Sequence, residues 1–199
     1  MTVIVKADII ADVNDNLQTA LSGTQLDRAI IKTLTDMSNR ALLVGSDTTQ
    51  SLVSGGTTLN YPTGFRDVIN ITLIDSSSDE KEPLVKLPGG HKEYRELIGN
   101  NSSNGTTKWY SEFDKKFYLW RPADGAYTTL IEYHKNHAKD ADNIEFETEF
   151  ENTMFAGATF WLAAKLGRVN ALALWGQIFQ NELRKSALNR NVQPQKVRV

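Results

Sequence analysis

The sequence contains no cysteine, and its apolar runs are all too short to cross a bilayer. The first absence excludes disulfides and thiolate metal sites, and it fits a reducing cytoplasm. The second predicts a soluble chain rather than a membrane-spanning one. The opening residues also lack the cationic start and sustained apolar stretch of a secretory signal. We therefore expect a globular protein that folds without covalent or metal cross-links.

The chain also has little net charge, with a formal value of −2 over 199 residues. Sequence-independent binding of nucleic acid depends on many Lys and Arg side chains that neutralise phosphates. A chain so nearly balanced lacks that basic field, so we expect any DNA nearby to pass it without being held. A chain of this length buries roughly 70% of its unfolded surface, which is enough for a real core.

Helical periodicity is present at both ends of the chain. Apolar residues recur at intervals of three and four, which predicts an antiparallel helical pair over residues 1–44. The two stripes are Ile9, Ile10, Val13, Leu17 and Leu21, and then Leu26, Ile30, Leu34, Met37 and Ala41. The same spacing returns over residues 153–166 and 172–188, which predicts a helical hairpin within residues 145–190. The four helices are expected to form one helical domain.

The middle of the chain follows a period of two, which is typical of half-buried strands. Alternation is clear at residues 69–73, 109–113, 117–119 and 127–133. Residues 45–60 are rich in Ser, Thr and Gly and are predicted to form a loop or a poorly paired strand that can be mobile. The sequence thus predicts an α+β fold, in which a helical bundle built from the N- and C-terminal helices carries an inserted small antiparallel β-sheet subdomain at residues 61–137. Residues 190–199 are predicted to form an extended tail.

Several groups of polar residues could in principle carry chemistry. His134 and His137 are three residues apart, but they fall at a strand end, where the helical geometry of a shared metal is missing. His91 lies near Glu93 and Glu96 without a marked nucleophile. The Gly89-Gly90 pair lacks the spacing of a phosphate loop, and the acidic run at residues 145–151 lacks that of a calcium loop. We predict no enzyme, no metal and no cofactor.

Aromatic residues are concentrated in the predicted sheet, and three interpretations of them are open. They can form a core, a protein interface, or a platform on which nucleic-acid bases stack. The residues are Trp109, Tyr110, Phe117, Tyr118, Trp120, Tyr127 and Tyr133. Acidic residues interrupt the neighbouring cations, which favours a core with a contact surface over a nucleic-acid platform.

The order of the motifs resembles that of the head-to-tail adaptor, or connector, proteins of tailed bacteriophages. The residues that carry the resemblance are Tyr61-Pro62-Thr63-Gly64-Phe65-Arg66 before a strand, Phe117-Tyr118-Leu119-Trp120-Arg121-Pro122, and Tyr127-Thr128-Thr129-Leu130-Ile131-Glu132-Tyr133. A helix rich in small residues and a last helix with a tryptophan follow, as in that family. The resemblance covers about residues 26–189.

The resemblance implies a structural virion protein with no catalytic role. Members form a homo-oligomeric ring, commonly of twelve copies, that joins the portal to tail or neck proteins. The ring is assembled in the host cytoplasm, lies in the neck of the virion and forms part of the DNA channel, with no sequence-specific contact to the genome. In this chain the C-terminal tail, with Arg190, Lys196, Val197, Arg198 and Val199, is expected to dock on the portal. Thr48, Ser51, Gly55 and Gly56 mark the loop expected to face the tail.

Two other functional classes remain open at this point. An aromatic sheet can bind carbohydrate or serve as another phage tail interaction module. A hydrolase that uses His91 or His134 with nearby acids is the second alternative.

Overall fold

The computed structural model describes residues 3–40, 43–100 and 103–192. Over these residues the fold is mixed α+β, with five α-helices and two four-stranded sheets, which confirms the predicted class. The chain divides into two compact units. The helical unit comprises residues 1–43 and 135–199, and the sheet unit comprises Val44–His134. The subdomain was predicted to start at residue 61, because the strands that precede this position were interpreted as a loop.

The helical unit is built around one central helix. Its helices are α1 (Lys6–Leu17), α2 (Thr24–Asn39), α4 (Glu151–Lys165) and α5 (Val169–Val192), with α3 belonging to the other unit. Helix α4 packs against α1, α2 and α5. Its buried positions surround the helix and include Thr153, Met154, Ala156, Gly157, Ala158, Thr159, Leu162 and Ala163. Such a helix has no solvent-facing polar stripe, which is typical of the centre of a bundle.

Helix α1 is shorter than its apolar spacing predicts. The helix ends at Leu17 and Gln18 adopts a left-handed conformation with φ of 45°, so the prediction that Leu21 extends the stripe was wrong. The cause is the side chain of Asn14, whose Oδ1 accepts a hydrogen bond from the Leu21 N–H at 2.9 Å and whose Nδ2 donates to the Leu21 carbonyl at 2.9 Å. An asparagine that bonds backbone groups in this way competes with helix propagation.

The sheet unit contains two sheets where the sequence predicted one. The first is organised by β8 (Tyr127–Lys135), which pairs with β1 (Val44–Asp47), β2 (Ser51–Leu52) and β4 (Phe65–Ile74). The second has the order β3-β7-β6-β5, with β3 at Thr58–Asn60, β5 at Val85–Lys86, β6 at Trp109–Phe113 and β7 at Lys116–Trp120. Strand β5 runs parallel to β6, so the prediction of a purely antiparallel sheet was wrong. Two residues of β5 are too few to show a period in the sequence.

The β6–β7 hairpin forms as predicted. Asp114 and Lys115 both have positive φ, at 46° and 58°, and Phe113 pairs with Lys116 directly across the turn. Two successive left-handed residues give the hairpin turn whose twist matches that of the strands. Helix α3 (Gly90–Asn100) packs on β6 and β7.

One glycine sets the distance between the helices of the helical unit. A Cβ built on Gly157 of α4 would lie 2.3 Å from Cγ2 of Thr33 on α2 and 2.7 Å from a ring carbon of Phe179 on α5. Three helices therefore meet where α4 has no side chain, which allows their backbones to approach closely. A polar contact also fixes the register of α4 and α5, since the buried hydroxyls of Thr153 and Ser186 lie 2.9 Å apart.

We predict that Gly157→Ala lowers the free energy of unfolding by about 1–3 kcal/mol, because the added methyl overpacks the contact with Thr33 and Phe179. Urea unfolding followed by circular dichroism measures the change. Gly99→Ala in α3 is the matched control, since no atom lies within 4 Å of its Cβ and alanine favours a helix. An equal or higher stability of Gly157→Ala would contradict the packing described for α4.

Candidate interaction surfaces

Of the loop and the poorly paired strand that the sequence allowed for residues 45–60, the structure has short strands. They contribute β1, β2 and β3, and the Gln50 side chain joins the ends of the connection between β1 and β3. The Gln50 Nε2 donates to the Asn60 carbonyl at 2.9 Å, and the Gln50 Oε1 accepts from the Asn60 N–H at 2.7 Å. One amide thus satisfies both backbone groups of Asn60, as a neighbouring strand would. The segment is ordered without a partner.

Asp47 fixes the start of this connection. Its Oδ1 accepts from the Thr49 N–H at 2.8 Å and from the Thr49 hydroxyl at 2.7 Å, and its Oδ2 accepts from Gln50 at 2.8 Å. Partial burial opposes ionisation, but the hydrogen bonds from Gln50 and Thr49 outweigh it and lower the pKa of Asp47. The ionised carboxylate is therefore the form that the turn stabilises.

The predicted tail-facing residues lie along this connection. Thr48 is exposed in the turn, and Ser51 lies in β2 opposite Thr128. Gly55 has φ of 83° and its N–H donates to the Ala123 carbonyl at 2.7 Å, while the Gly56 carbonyl accepts from the Ala123 N–H at 3.0 Å. We call residues 53–55 the tip. It is exposed, and the side chain of Val53 keeps 70% of its surface in solvent.

The Tyr61-Pro62-Thr63-Gly64-Phe65-Arg66 motif is a structural element of the sheet unit. The Phe65 N–H donates to the Pro62 carbonyl at 3.1 Å across a turn in which Gly64 has φ of 72°. The turn places the Tyr61 ring 4.1 Å from Phe65 and 4.8 Å from Phe117, centroid to centroid. The motif thus closes an aromatic core at the point where the chain enters β4.

An open groove of about 490 Å³ runs beside this motif. It is lined by Asn60, Tyr61, Pro62, Gly64, Phe65, Arg66, Glu112 and Lys115. The Tyr61 hydroxyl donates to Oε2 of Glu112 at 3.2 Å, and Lys86 contacts the other oxygen at 2.7 Å. Burial and the adjacent Glu112 raise the pKa of Tyr61 to about 12, so the phenol keeps its proton. The groove presents charges of both signs and no activated nucleophile among its lining residues.

The aromatic side chains do not form an open platform. Tyr110, Phe117 and Tyr133 are buried in the core of the sheet unit. Tyr118 lies under α3, with the His91 ring 4.7 Å and the Tyr94 ring 5.4 Å from its own. Trp109 and Trp120 pack on each other at 5.2 Å and are half-buried. This geometry favours the core interpretation over carbohydrate or base stacking.

The histidines have structural roles where the structure shows their contacts. His91 stacks on Phe113 at 4.4 Å, and its Nδ1 lies 3.3 Å from Oγ of Ser111, which is fully buried. The Ser111 hydroxyl therefore helps to hold the His91 ring against the sheet. His137 accepts from the Glu145 N–H through Nε2 at 3.0 Å and donates through Nδ1 to the Ala138 carbonyl. Both ring nitrogens of His137 are therefore engaged in holding its own loop.

No group of three or more potential metal ligands is assembled within residues 3–40, 43–100 and 103–192. Across the same part of the chain, none of the helices is both long and apolar enough to span a membrane.

The C-terminal site falls at the limit of the described residues. Helix α5 continues to Val192, so Arg190 lies in the helix and not in the extended tail that was predicted to begin there. Its apolar stripe is interrupted by polar residues beyond Leu188, which is why the sequence placed the helix end too early. Lys196, Val197, Arg198 and Val199 lie outside the described residues.

The resemblance to phage adaptors can be tested against known protein families. The family model described as SU10 adaptor protein matches residues 1–198, nearly the whole chain. The chain belongs to the SU10 adaptor protein family. No curated protein matches the sequence significantly. Membership confirms the resemblance to phage head-to-tail adaptors and gives the chain a structural adaptor role in the virion.

The sequence marked the position of the tip but gave no sign of how its backbone is held. The exposed tip was within the predicted segment, because Gly and Ser at residues 54–56 signal a tight turn. Its rigidity was missed, since nothing in the local sequence indicates that Gln50 will pair with a residue ten positions away.

We predict that Asp47→Asn lowers the thermal stability of the chain at pH 7, because a neutral amide replaces the carboxylate that Thr49 and Gln50 stabilise. A lowered folded-state pKa contributes stability above the unfolded-state pKa, near 3.8, and that contribution is lost as the pH falls through the folded-state pKa. The difference in melting temperature between wild type and variant should therefore shrink as the pH is lowered from 7 to 3. A difference that stays constant over this range would exclude the charge of Asp47 as its cause.

Proposed function

We propose that the protein is a head-to-tail adaptor whose copies form a closed ring between the portal and the tail or neck proteins of a tailed phage. The observation that carries the proposal is the family match, which spans both units and not one motif alone. In this arrangement the helical bundle carries the sheet unit as an insertion, and the ring lies in the virion neck after assembly in the host cytoplasm. Twelve copies is the number common among the adaptors that the chain resembles.

The charge of the chain supports a channel role. A ring that surrounds the genome must let it move, and the net charge of −2 gives no basic field to hold the phosphates. The lumen is proposed to form part of the DNA channel without reading sequence.

The tip is our proposed contact to the tail. Its backbone is fixed from both sides, by the Gln50–Asn60 pair and by the hydrogen bonds to Ala123, while its side chains are exposed. A rigid exposed segment loses little conformational entropy on binding, which favours a stable contact. The apolar Val53 side chain supplies surface that a tail protein can bury.

The C-terminal segment is our proposed contact to the portal. Arg190 lies in the last turn of α5, and Lys196 and Arg198 extend the cationic character without any acidic residue in residues 189–199. A segment of this charge fits an acidic groove on a larger partner.

We expect Val53→Asp to reduce attachment of tail or neck proteins to portal–adaptor complexes by about ten-fold, because burial of a charge at an apolar contact is unfavourable. Pull-down of the complexes with the next protein of the tail measures attachment. Val169→Asp is the control, since Val169 is equally exposed, at 74%, and lies on the helical unit. Equal attachment of Val53→Asp and wild type would refute the tail-facing role of the tip.

Deletion of residues 193–199 is expected to leave the melting temperature unchanged and to weaken binding to the cognate portal. The described core ends before this segment, so the folded body retains its contacts. Co-sedimentation with purified portal rings compares the full-length chain, the truncated chain and an Arg190→Glu variant. Unchanged co-sedimentation of the truncated chain would remove the portal-docking role of the tail.

A further inference from the structure

One side of the helical unit carries a strip of acidic side chains. Asp8, Asp12 and Asp15 are spaced by four and three residues on α1, so they lie along one face of the helix. Asp8 and Asp15 are exposed. The lysine of α1 does not neutralise them, since Lys6 contacts Asp27 at 2.7 Å and Asp142 at 2.6 Å instead.

This acidic strip borders a groove of about 250 Å³ over α4. Its lining consists of Asp12, Asn16, Asn152, Phe155, Ala156, Trp175, Ile178 and Glu182. The groove therefore combines half-buried aromatic and aliphatic side chains with a carboxylate on each side, Asp12 from α1 and Glu182 from α5. A Lys or Arg side chain has the matching character, with an apolar stem and a cationic end.

The groove holds more negative charge than its own contacts neutralise. Asp12 accepts a hydrogen bond from Asn16 at 2.7 Å, and Glu182 contacts Lys185 at 2.6 Å. Burial, followed by the nearby charges of Asp15 and Glu151, raises the pKa of Asp12 despite the bond from Asn16. The ionised form of Asp12 thus costs folding stability, and a cation from outside would remove that cost.

The helical unit presents exposed cations on α2. Arg28 and Lys32 are one turn apart and both are exposed. The Lys32 Nζ lies 4.3 Å from the ring centroid of Trp161 on α4, and the Trp161 Nε1 donates to Asp36 at 2.9 Å. These contacts hold Lys32 over the indole, with Arg28 one turn before it on α2.

The two charged surfaces lie on opposite sides of α4. Asn152 lines the acidic groove, and the Trp161 ring contacts Lys32. The two positions on α4 are about two and a half turns apart, at about 3.6 residues per turn. Because the separation is a whole number of turns plus half a turn, the two side chains lie on opposite faces of the helix. The flanks of the unit are therefore unlike in charge and complementary to each other.

We infer that Arg28 and Lys32 of one copy bind the Asp12–Glu182 groove of the next copy, and that this contact joins the subunits of the ring. The inference rests on the proposed ring and assigns its subunit interface. A two-fold dimer would place like charges together, whereas a head-to-tail contact places the cations of each copy on the carboxylates of its neighbour. Repetition of such a contact gives a closed ring when the rotation between neighbours divides a full turn, as the proposed ring requires.

Cross-linking tests the contact directly, because the chain has no native cysteine. The variant Asp12→Cys/Arg28→Cys is treated with a short bismaleimide, with and without cognate portal rings, and resolved by denaturing electrophoresis. We expect a ladder of covalent multimers from the double variant, and no species beyond dimers from either single variant. Portal-bound rings that give no ladder would overturn the inference while leaving the ring proposal intact.

Charge reversal tests the cause of the contact. Arg28→Glu/Lys32→Glu and Asp12→Lys/Glu182→Lys should each lower assembly by about ten-fold or more, since like charges then face each other. Mixing these two variants should restore assembly, because each has two flanks of one sign and complements the other. Lys92→Glu/Arg95→Glu on α3 is the control and should assemble normally. Melting curves verify that each variant is folded.

Asp12→Asn separates an interface role from a structural one. Because the ionised carboxylate costs folding stability, this variant should melt at or above the wild-type temperature while its assembly into multimers, followed by sedimentation, falls. Normal assembly of both charge-reversed variants, each alone, would overturn the inference. A wild-type chain that neither binds portal nor forms multimers would overturn the ring proposal and the inference together, whereas multimers without portal binding would refute only the portal role.

Discussion

The close approach of three helices at Gly157 is the constraint on which the helical unit depends. Helix α4 is buried on almost every side, so its packing partners are fixed by the small residues that it presents. Thr33 from α2 and Phe179 from α5 occupy the space that any side chain at residue 157 would need. Because α4 is central, it also determines which charges lie on which flank. The acidic groove and the Lys32–Trp161 contact are opposite each other only because both are attached to this helix.

The sheet unit is held together by different means. Its core is aromatic, and the Tyr61–Phe65 turn closes it through the contacts with Phe117 and Tyr133. Its connection between β1 and β3 is fixed by the Asp47 carboxylate and the Gln50 amide. The result is a rigid scaffold with an exposed tip, which is what a contact that must form repeatedly around an axis requires.

The sequence predicted the elements whose signal is periodic and local. The spacing of Ile9, Val13 and Leu17 and the alternation at residues 109–113 were enough to place a helix and a strand. It did not predict that Leu21 would leave α1, which follows from the Asn14 side chain, or that residues 45–60 would be paired, because their partners β7 and β8 lie more than fifty residues further along the chain. The Asn14 and Gln50 side chains both bond to backbone groups distant in sequence, and periodicity contains no information about such contacts. The parallel pairing of β5 was equally hidden, since it involves two residues.

The candidate surfaces were less predictable than the fold. Glycines marked the tip, and the resemblance marked the C-terminal segment, but the acidic groove needed three helices to bring Asp12, Phe155 and Glu182 together. Charges at those positions look ordinary in the sequence because solvated helix faces have the same composition. Only the arrangement around α4 shows that the two flanks are unlike.

Cryo-electron microscopy of cognate portal particles incubated with the purified chain tests the central claim most directly. The account predicts a closed annulus of adaptor density on the portal axis, in which α1 of each copy faces α2 of its neighbour. Bare portals beside monomeric chain, or adaptor copies bound singly without contact to one another, would contradict it.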